Sequence, residues 1–280
     1  MIVEVDGLAA HAATGGVDLA GRDDQPAMVL LHGAGMDGTV WQLQTRYLAH
    51  RGLRVAAVDL PGHGRSDGEP LGSIEELADW VGRFLDAAGL QPTNVVGHSM
   101  GSFIGLDLAA RRPELVTSLT LLGTADGMPV HPDLLTASED RLDEAAALMA
   151  AWGHGAPAHV GLNPTPGLWM LGGARALVET SAAGVLTTDF RACMAYGDAL
   201  DRAAAVTCPI SVVVGSGDKM TPPRATAKLI QAIEEGAAPS VEVITLADTG
   251  HMMMVESPEP VRRVLVAAAE TAAQEPSDSM

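Results

Sequence analysis

The pentapeptide Gly97-His98-Ser99-Met100-Gly101 constrains this chain more than any other segment. It follows the apolar run Asn94-Val95-Val96 and opens a helical pattern through Phe103, Ile104 and Leu106. A G-x-S-x-G turn between strand and helix lifts the serine hydroxyl above the end of a sheet. The two glycines are steric requirements, because side chains at 97 and 101 would collide across so tight a turn. The turn also aims the first helical amides at whatever the Ser99 hydroxyl attacks. In a chain with 31 glycines the pentapeptide recurs easily, so the strand–helix context carries the reading.

A serine hydroxyl is a poor nucleophile near neutral pH. It needs a base, normally His, and an acid to orient that base. Downstream, Ile210-Ser211-Val212-Val213-Val214 runs into Gly215-Ser216-Gly217-Asp218. A second run, Val241-Glu242-Val243-Ile244, leads to Asp248-Thr249-Gly250-His251. Both candidates sit in loops just past strands, where side chains from separate strands converge. Upstream, Met28-Val29-Leu30-Leu31 enters His32-Gly33-Ala34-Gly35, a glycine turn able to offer a second backbone donor to an oxyanion. Strand-like runs near 2–5, 11–20, 27–31, 54–58, 94–98 and 116–122 alternate with helical patterns from the third onward. This predicts an α/β fold with a mostly parallel sheet. Ser73 and Glu76 form a capping box ahead of Ile74, Leu77, Val81, Phe84 and Leu85, which share one helical face.

Taken in order, the pieces resemble the α/β-hydrolase superfamily. They are His32-Gly33, Asp59-Leu60-Pro61-Gly62-His63-Gly64-Arg65-Ser66, the Gly97–Gly101 elbow, Gly215-x-x-Asp218 and Gly250-His251, spread over about residues 26 to 270. The resemblance implies an eight-stranded sheet flanked by helices, with a helical cap inserted after strand 6. It implies Ser99 as nucleophile, His251 as general base and Asp218 as its orienting acid. It also implies that Ala34 and Met100 supply the two oxyanion amides. Asp126, after the run Leu119-Thr120-Leu121-Leu122-Gly123-Thr124, competes with Asp218, because relatives place this acid after either the sixth or the seventh strand. Relatives that displace halide or open epoxides carry Asp where this chain has Ser99, so the resemblance favours acyl chemistry.

The strand–helix alternation stops near residue 124 and resumes near Ile210. The expected division is therefore a core of 1–123 and 191–280, with a helical cap over 124–190. Within the cap, Thr136 and Glu139 read as a second capping box, with Leu142, Ala145, Met149 and Trp152 on one stripe. Arg141 and Arg175 are its only Lys or Arg residues. Gly35, Met128, Met149, Trp152, Trp169, Met170 and Met252 are the expected substrate contacts, making an apolar, deformable pocket. Arg175 and Arg191 are candidates to hold a substrate carboxylate, although a surface or cap salt bridge is the better account of them. Ser257-Pro258 opens a last helix through Val261, Val264 and Leu265, and Gln274 to Met280 reads as a frayed tail.

A net charge of −18 argues against nucleic acid and anionic membranes as partners. No apolar stretch has transmembrane length, and the acidic start is unlike a signal peptide, so the expected compartment is the cytoplasm. Cys193 and Cys208 have no zinc-like spacing and read as small buried hydrophobes. His11, His131, His154 and His159 are scattered, so neither metal nor cofactor is expected. His63 reads as serving its turn, and His98 as a local hydrogen-bonding residue. The expected partner is a small, apolar, ester-like molecule, cleaved through an acyl-enzyme on Ser99. A C–C bond hydrolase of a meta-cleavage-type dienone acid is the enzyme alternative. A hydrolase-like binding protein with a silent site is the alternative of another class.

Overall fold

A computed structural model describes residues 1–274, so the tail expected to fray lies outside the described residues from 275 on. Eight strands form one sheet: β1 (Ile2–Val5), β2 (Leu8–Ala13), β3 (Ala27–Leu31), β4 (Arg54–Val58), β5 (Thr93–His98), β6 (Val116–Leu122), β7 (Ile210–Gly215) and β8 (Val241–Leu246). Their spatial order is β1-β2-β4-β3-β5-β6-β7-β8. The first two strands pair antiparallel, β2 pairs antiparallel with β4, and the rest are parallel. Every residue of β3, β4 and β5 is buried. A parallel sheet covered on both faces demands such burial; β3 meets it with an unbroken apolar run, while the polar Arg54, Asn94 and His98 of β4 and β5 are buried with hydrogen-bond partners.

The helices are α1 (Gln42–Ala49), α2 (Ile74–Ala88), α3 (Met100–Arg111), α4 (Pro132–Asp140), α5 (Leu142–Gly153), α6 (Ala156–His159), α7 (Met170–Glu179), α8 (Val185–Ala195), α9 (Ala199–Ala205), α10 (Pro223–Glu234), α11 (Met253–Glu256) and α12 (Pro258–Gln274). One layer is built by α1 and α12 packing on each other and on β4, β5 and β6. A second set runs α2 on α3, α3 on α9 and α9 on α10. In α2 the Ser73 hydroxyl accepts the Glu76 N–H at 3.2 Å, and Ile74, Leu77, Val81, Phe84 and Leu85 all face inward. Each such fully buried side chain contributes about 1.5–3 kcal/mol over its exposed state. This face, more than any cap, holds the helix on the sheet.

Three local expectations change. The second strand is Leu8–Ala13 rather than 11–20, because Thr14 Oγ1 donates to Val17 O at 2.7 Å and turns the chain. Thr136 is not a cap. Pro132 starts α4, which puts the N-cap five residues earlier at His131, whose Nδ1 accepts the Asp133 N–H at 3.3 Å. The division expected at 190/191 falls inside α8, an unbroken helix. Six helices, α4 to α9, lie between β6 and β7.

Candidate active site

Ser99 stands between β5 and α3 with φ 53° and ψ −118°, a strained conformation for a residue with a side chain. A Cβ at Gly97 would run into the Gly101 carbonyl, and one at Gly101 into those of Leu31 and His32. The Ser99 N–H donates to Leu122 O at 2.9 Å, which pins the turn to β6. Met100 opens α3, so its N–H lies outside the intrahelical ladder.

His251 and Asp218 meet beside this turn. His251 Nδ1 lies 2.8 Å from Asp218 Oδ2, and their side chains are 2% and 0% exposed. Asp218 Oδ1 accepts the N–H groups of Met220 and Thr221 at 2.8 and 2.9 Å, and Thr221 Oγ1 donates to Oδ2 at 2.7 Å. Burial alone would raise the Asp218 pKa. His251 and these donors outweigh it and hold the carboxyl below the usual carboxylate range. Gly153 O accepts the His251 N–H at 2.8 Å, and His98 Nε2 lies 3.0 Å from His251 O. Complete burial and the neighbouring His251 push the His98 pKa well down. His98 is therefore a neutral donor that anchors the His251 backbone. Asp126 makes no hydrogen bond to His251 and lies 3.5 Å from Lys228 Nζ.

Ser99, His251, Ala34 and Thr221 line one cavity of about 340 Å³. The segment between β6 and β7 completes the wall with Met128, Leu134, Trp152, Phe190 and Cys193. Of the expected substrate contacts, only Met128 and Trp152 face this space. Met149, Met170 and Met252 are 6%, 6% and 3% exposed and pack in the core instead. Trp169 is 77% exposed, outside the cavity lining. Met and Trp stripes mark an inward face, but not whether that face meets a wall or a cavity. Phe190 and Cys193 were missed, although their spacing of one helical turn on α8 was readable. Cys193 agrees with its reading as a buried hydrophobe, since burial drives its thiol pKa up.

Gly35 is also corrected, for a different reason. Its N–H donates to Asp189 Oδ2 at 2.8 Å and is not available to substrate. Among the described residues the Ala34 N–H has no such acceptor. Asp189 Oδ2 also lies 2.9 Å from His63 Nε2, while His63 Nδ1 lies 2.9 Å from Pro61 O. Burial opposes charge on His63, but Asp189 and this carbonyl outweigh it and raise its pKa. The sequence signalled neither partner, because Asp189 is 126 residues from His63. This buried pair ties α8 to the loops after β3 and β4. His32 adds a neutral bridge: its Nε2 accepts the Leu60 N–H at 3.2 Å, and burial with the nearby His63 lowers its pKa to about 3.

Asp189→Leu leaves His63 buried without its counter-charge. The expected loss of stability at pH 6 is about 3–5 kcal/mol by denaturant titration. A raised folded pKa means the pair stabilises fully below His63's ordinary pKa and fades as pH rises through the folded value. The gap between wild type and variant should therefore shrink as pH rises from 6 to 9. A gap that widened over that range would remove the charge from His63.

Among the described residues, no three His, Cys, Asp or Glu side chains are grouped to hold a metal ion, and no helix is long and apolar enough to cross a membrane. The chain is 26% identical over 258 residues to an (E)-2-((N-methylformamido)methylene)succinate hydrolase of Acinetobacter baylyi, covering 87% of this chain and 90% of that protein. It is 29% identical over 250 residues to a pimeloyl-[acyl-carrier protein] methyl ester esterase of Aromatoleum aromaticum, covering 84% and 95%. In structure it resembles an enol-lactonase from Burkholderia xenovorans, with a TM-score of 0.82 at 22% identity, covering 96% of this chain and all of that one. The family model described as the alpha/beta hydrolase family matches residues 28–264. With that match spanning most of the sheet and both halves of the site, the chain belongs to the alpha/beta hydrolase family.

Proposed function

We propose that the chain hydrolyses carboxylic esters with a small to medium apolar group, and by the same chemistry thioesters or lactones, through an acyl-enzyme on Ser99. The observation that carries this reading is the buried Asp218–His251 pair facing the cavity that Ser99 lines. His251 spends Nδ1 on Asp218, so Nε2 is left to take the Ser99 proton as Oγ bonds to the carbonyl carbon. The oxyanion then receives the N–H groups of Ala34 and Met100. Collapse expels the alcohol, which leaves with the proton held by His251. Water, giving its proton to His251, attacks the acyl carbon and restores Ser99. The similarity to a methyl ester esterase supports carboxylic esters as the first substrates to try.

Arg175 and Arg191 offer little to the C–C hydrolase alternative. Arg175 Nε is 2.6 Å from Glu179, Arg191 is 2.8 Å from Glu139, and neither lines the cavity. The segment from 124 to about 205 acts in this reading as the cap, supplying most of the apolar wall.

A nitrophenyl ester series tests the proposal. It should show a burst of nitrophenol equal to the enzyme present, then steady turnover. Trp152→Asp should lower kcat/KM for hexanoyl esters about tenfold more than for acetyl esters. Only the longer chain reaches Trp152, and two lost methylene contacts at about 0.8 kcal/mol each give that ratio. Trp169→Asp is the control, because an exposed side chain outside the cavity should not change the ratio. Equal losses for both esters in Trp152→Asp would assign that tryptophan to packing.

A further inference from the structure

The cavity wall inverts the charge of the molecule. The chain carries 35 Asp and Glu against 17 Lys and Arg. Yet no Asp or Glu lines the cavity that holds Ser99 and His251, and one cation does, Lys219. The sequence contains only two lysines. Lys228 lies 3.5 Å from Asp126, whereas Lys219 has no ion pair or hydrogen bond to any described side chain. The adjacent Asp218 does not absorb it. Both carboxylate oxygens of Asp218 are committed, Oδ1 to the Met220 and Thr221 amides and Oδ2 to Thr221 and His251.

The placement selects a geometry for the missing partner. Asp218 accepts the amides two and three residues on, which closes a tight turn around Lys219. Lys219 is exposed while Ser99 and His251 lie deeper, so the cation stands toward the mouth of the cavity. A lysine there can lay its apolar stem along the wall and keep its ammonium at the rim. The ammonium is a point charge without fork geometry, suited to a single carboxylate on a flexible chain. The same cavity is lined by the apolar Leu134, Trp152 and Phe190.

We infer that Lys219 is an anion-binding specificity residue, and that the substrate is an ester, thioester or lactone carrying a carboxylate at the end remote from the scissile carbonyl. This rests on the serine hydrolase reading of the same site. The apolar wall then packs the methylenes between the two functional groups, and the ammonium fixes which end lies at Ser99. An apolar pocket alone would accept the chain in either direction.

The test compares two matched series: monomethyl hemiesters of linear dicarboxylic acids, and methyl esters of monocarboxylic acids with the same number of carbons. Wild type should favour the hemiester at one or two chain lengths. In Lys219→Met, which keeps the stem and removes the charge, the hemiester-to-neutral kcat/KM ratio should fall about fivefold, mostly through KM. Lys219→Arg should recover part of that ratio, and added salt should lower it in wild type and in Lys219→Arg but not in Lys219→Met. A ratio unchanged in Lys219→Met, or wild type favouring neutral esters at every length, overturns the assignment while leaving the ester hydrolase standing. No turnover of either series, with no labelling of Ser99 by a fluorophosphonate, overturns the hydrolase reading and this inference with it.

Discussion

Ser99→Ala is expected to abolish ester hydrolysis and to leave the protein folded. The expected loss in kcat is on the order of 10⁴ to 10⁶, the range seen when a nucleophile is removed from such a set. The two effects have separate physical origins. The strain at residue 99 is backbone strain, set by φ 53° and by the glycines at 97 and 101, and alanine inherits it. The fixed points of the turn are backbone groups: the Ser99 N–H on Leu122 O, and the Ser99 carbonyl accepting from Ser102. None depends on the Ser99 hydroxyl. Circular dichroism and the melting temperature should therefore match wild type while the nitrophenol burst disappears. Retention of a tenth of wild-type turnover would remove Ser99 from the role of nucleophile and leave the fold argument untouched.

What was legible in the sequence follows from which signals are local. β3 emerged where expected because it is an unbroken apolar run, and β5 and β6 because their Val and Leu residues stand out despite Asn94, Thr117, Ser118 and Thr120 among them. α2 was legible through its Ser73 cap and its face of Ile74, Leu77 and Val81. Ser99, Asp218 and His251 were each nameable because each follows a strand in a glycine-marked turn. The residues that support them were not. His98 beneath the His251 backbone, and Asp189 beneath the Gly35 amide, act across 153 and 154 residues. No pattern along the chain encodes such a pairing. The cavity wall failed for another reason. Met149 and Trp152 share a stripe on α5, but only the packed fold decides that one fills the core and the other meets open space.

Asp218→Asn should cost roughly 10⁴-fold in kcat at neutral pH, while Asp126→Asn should cost less than about tenfold. Both acids follow strands that end near the site, so the sequence order leaves them in competition. Their surroundings differ in kind. Asp218 is fully buried on His251 Nδ1 at 2.8 Å and receives further donors from Met220 and Thr221. Asp126 is 30% exposed, with Lys228 as its ion partner. Asparagine at 218 can present an N–H toward Nδ1, which would move the imidazole proton to the nitrogen that must accept from Ser99. It also removes the charge that stabilises the imidazolium. The pH profile gives a second readout. A carboxyl held below its ordinary pKa contributes stability that is present above the unfolded value and lost as pH falls through the folded one. Wild type should therefore lose stability more steeply than Asp218→Asn on acidification below about pH 4, near the ordinary carboxylate pKa. Should Asp126→Asn instead show the collapse in kcat, and Asp218→Asn keep most of its turnover, the orienting acid moves to Asp126. The roles of Ser99 and His251 would stand, and the Asp218–His251 contact at 2.8 Å would be structural.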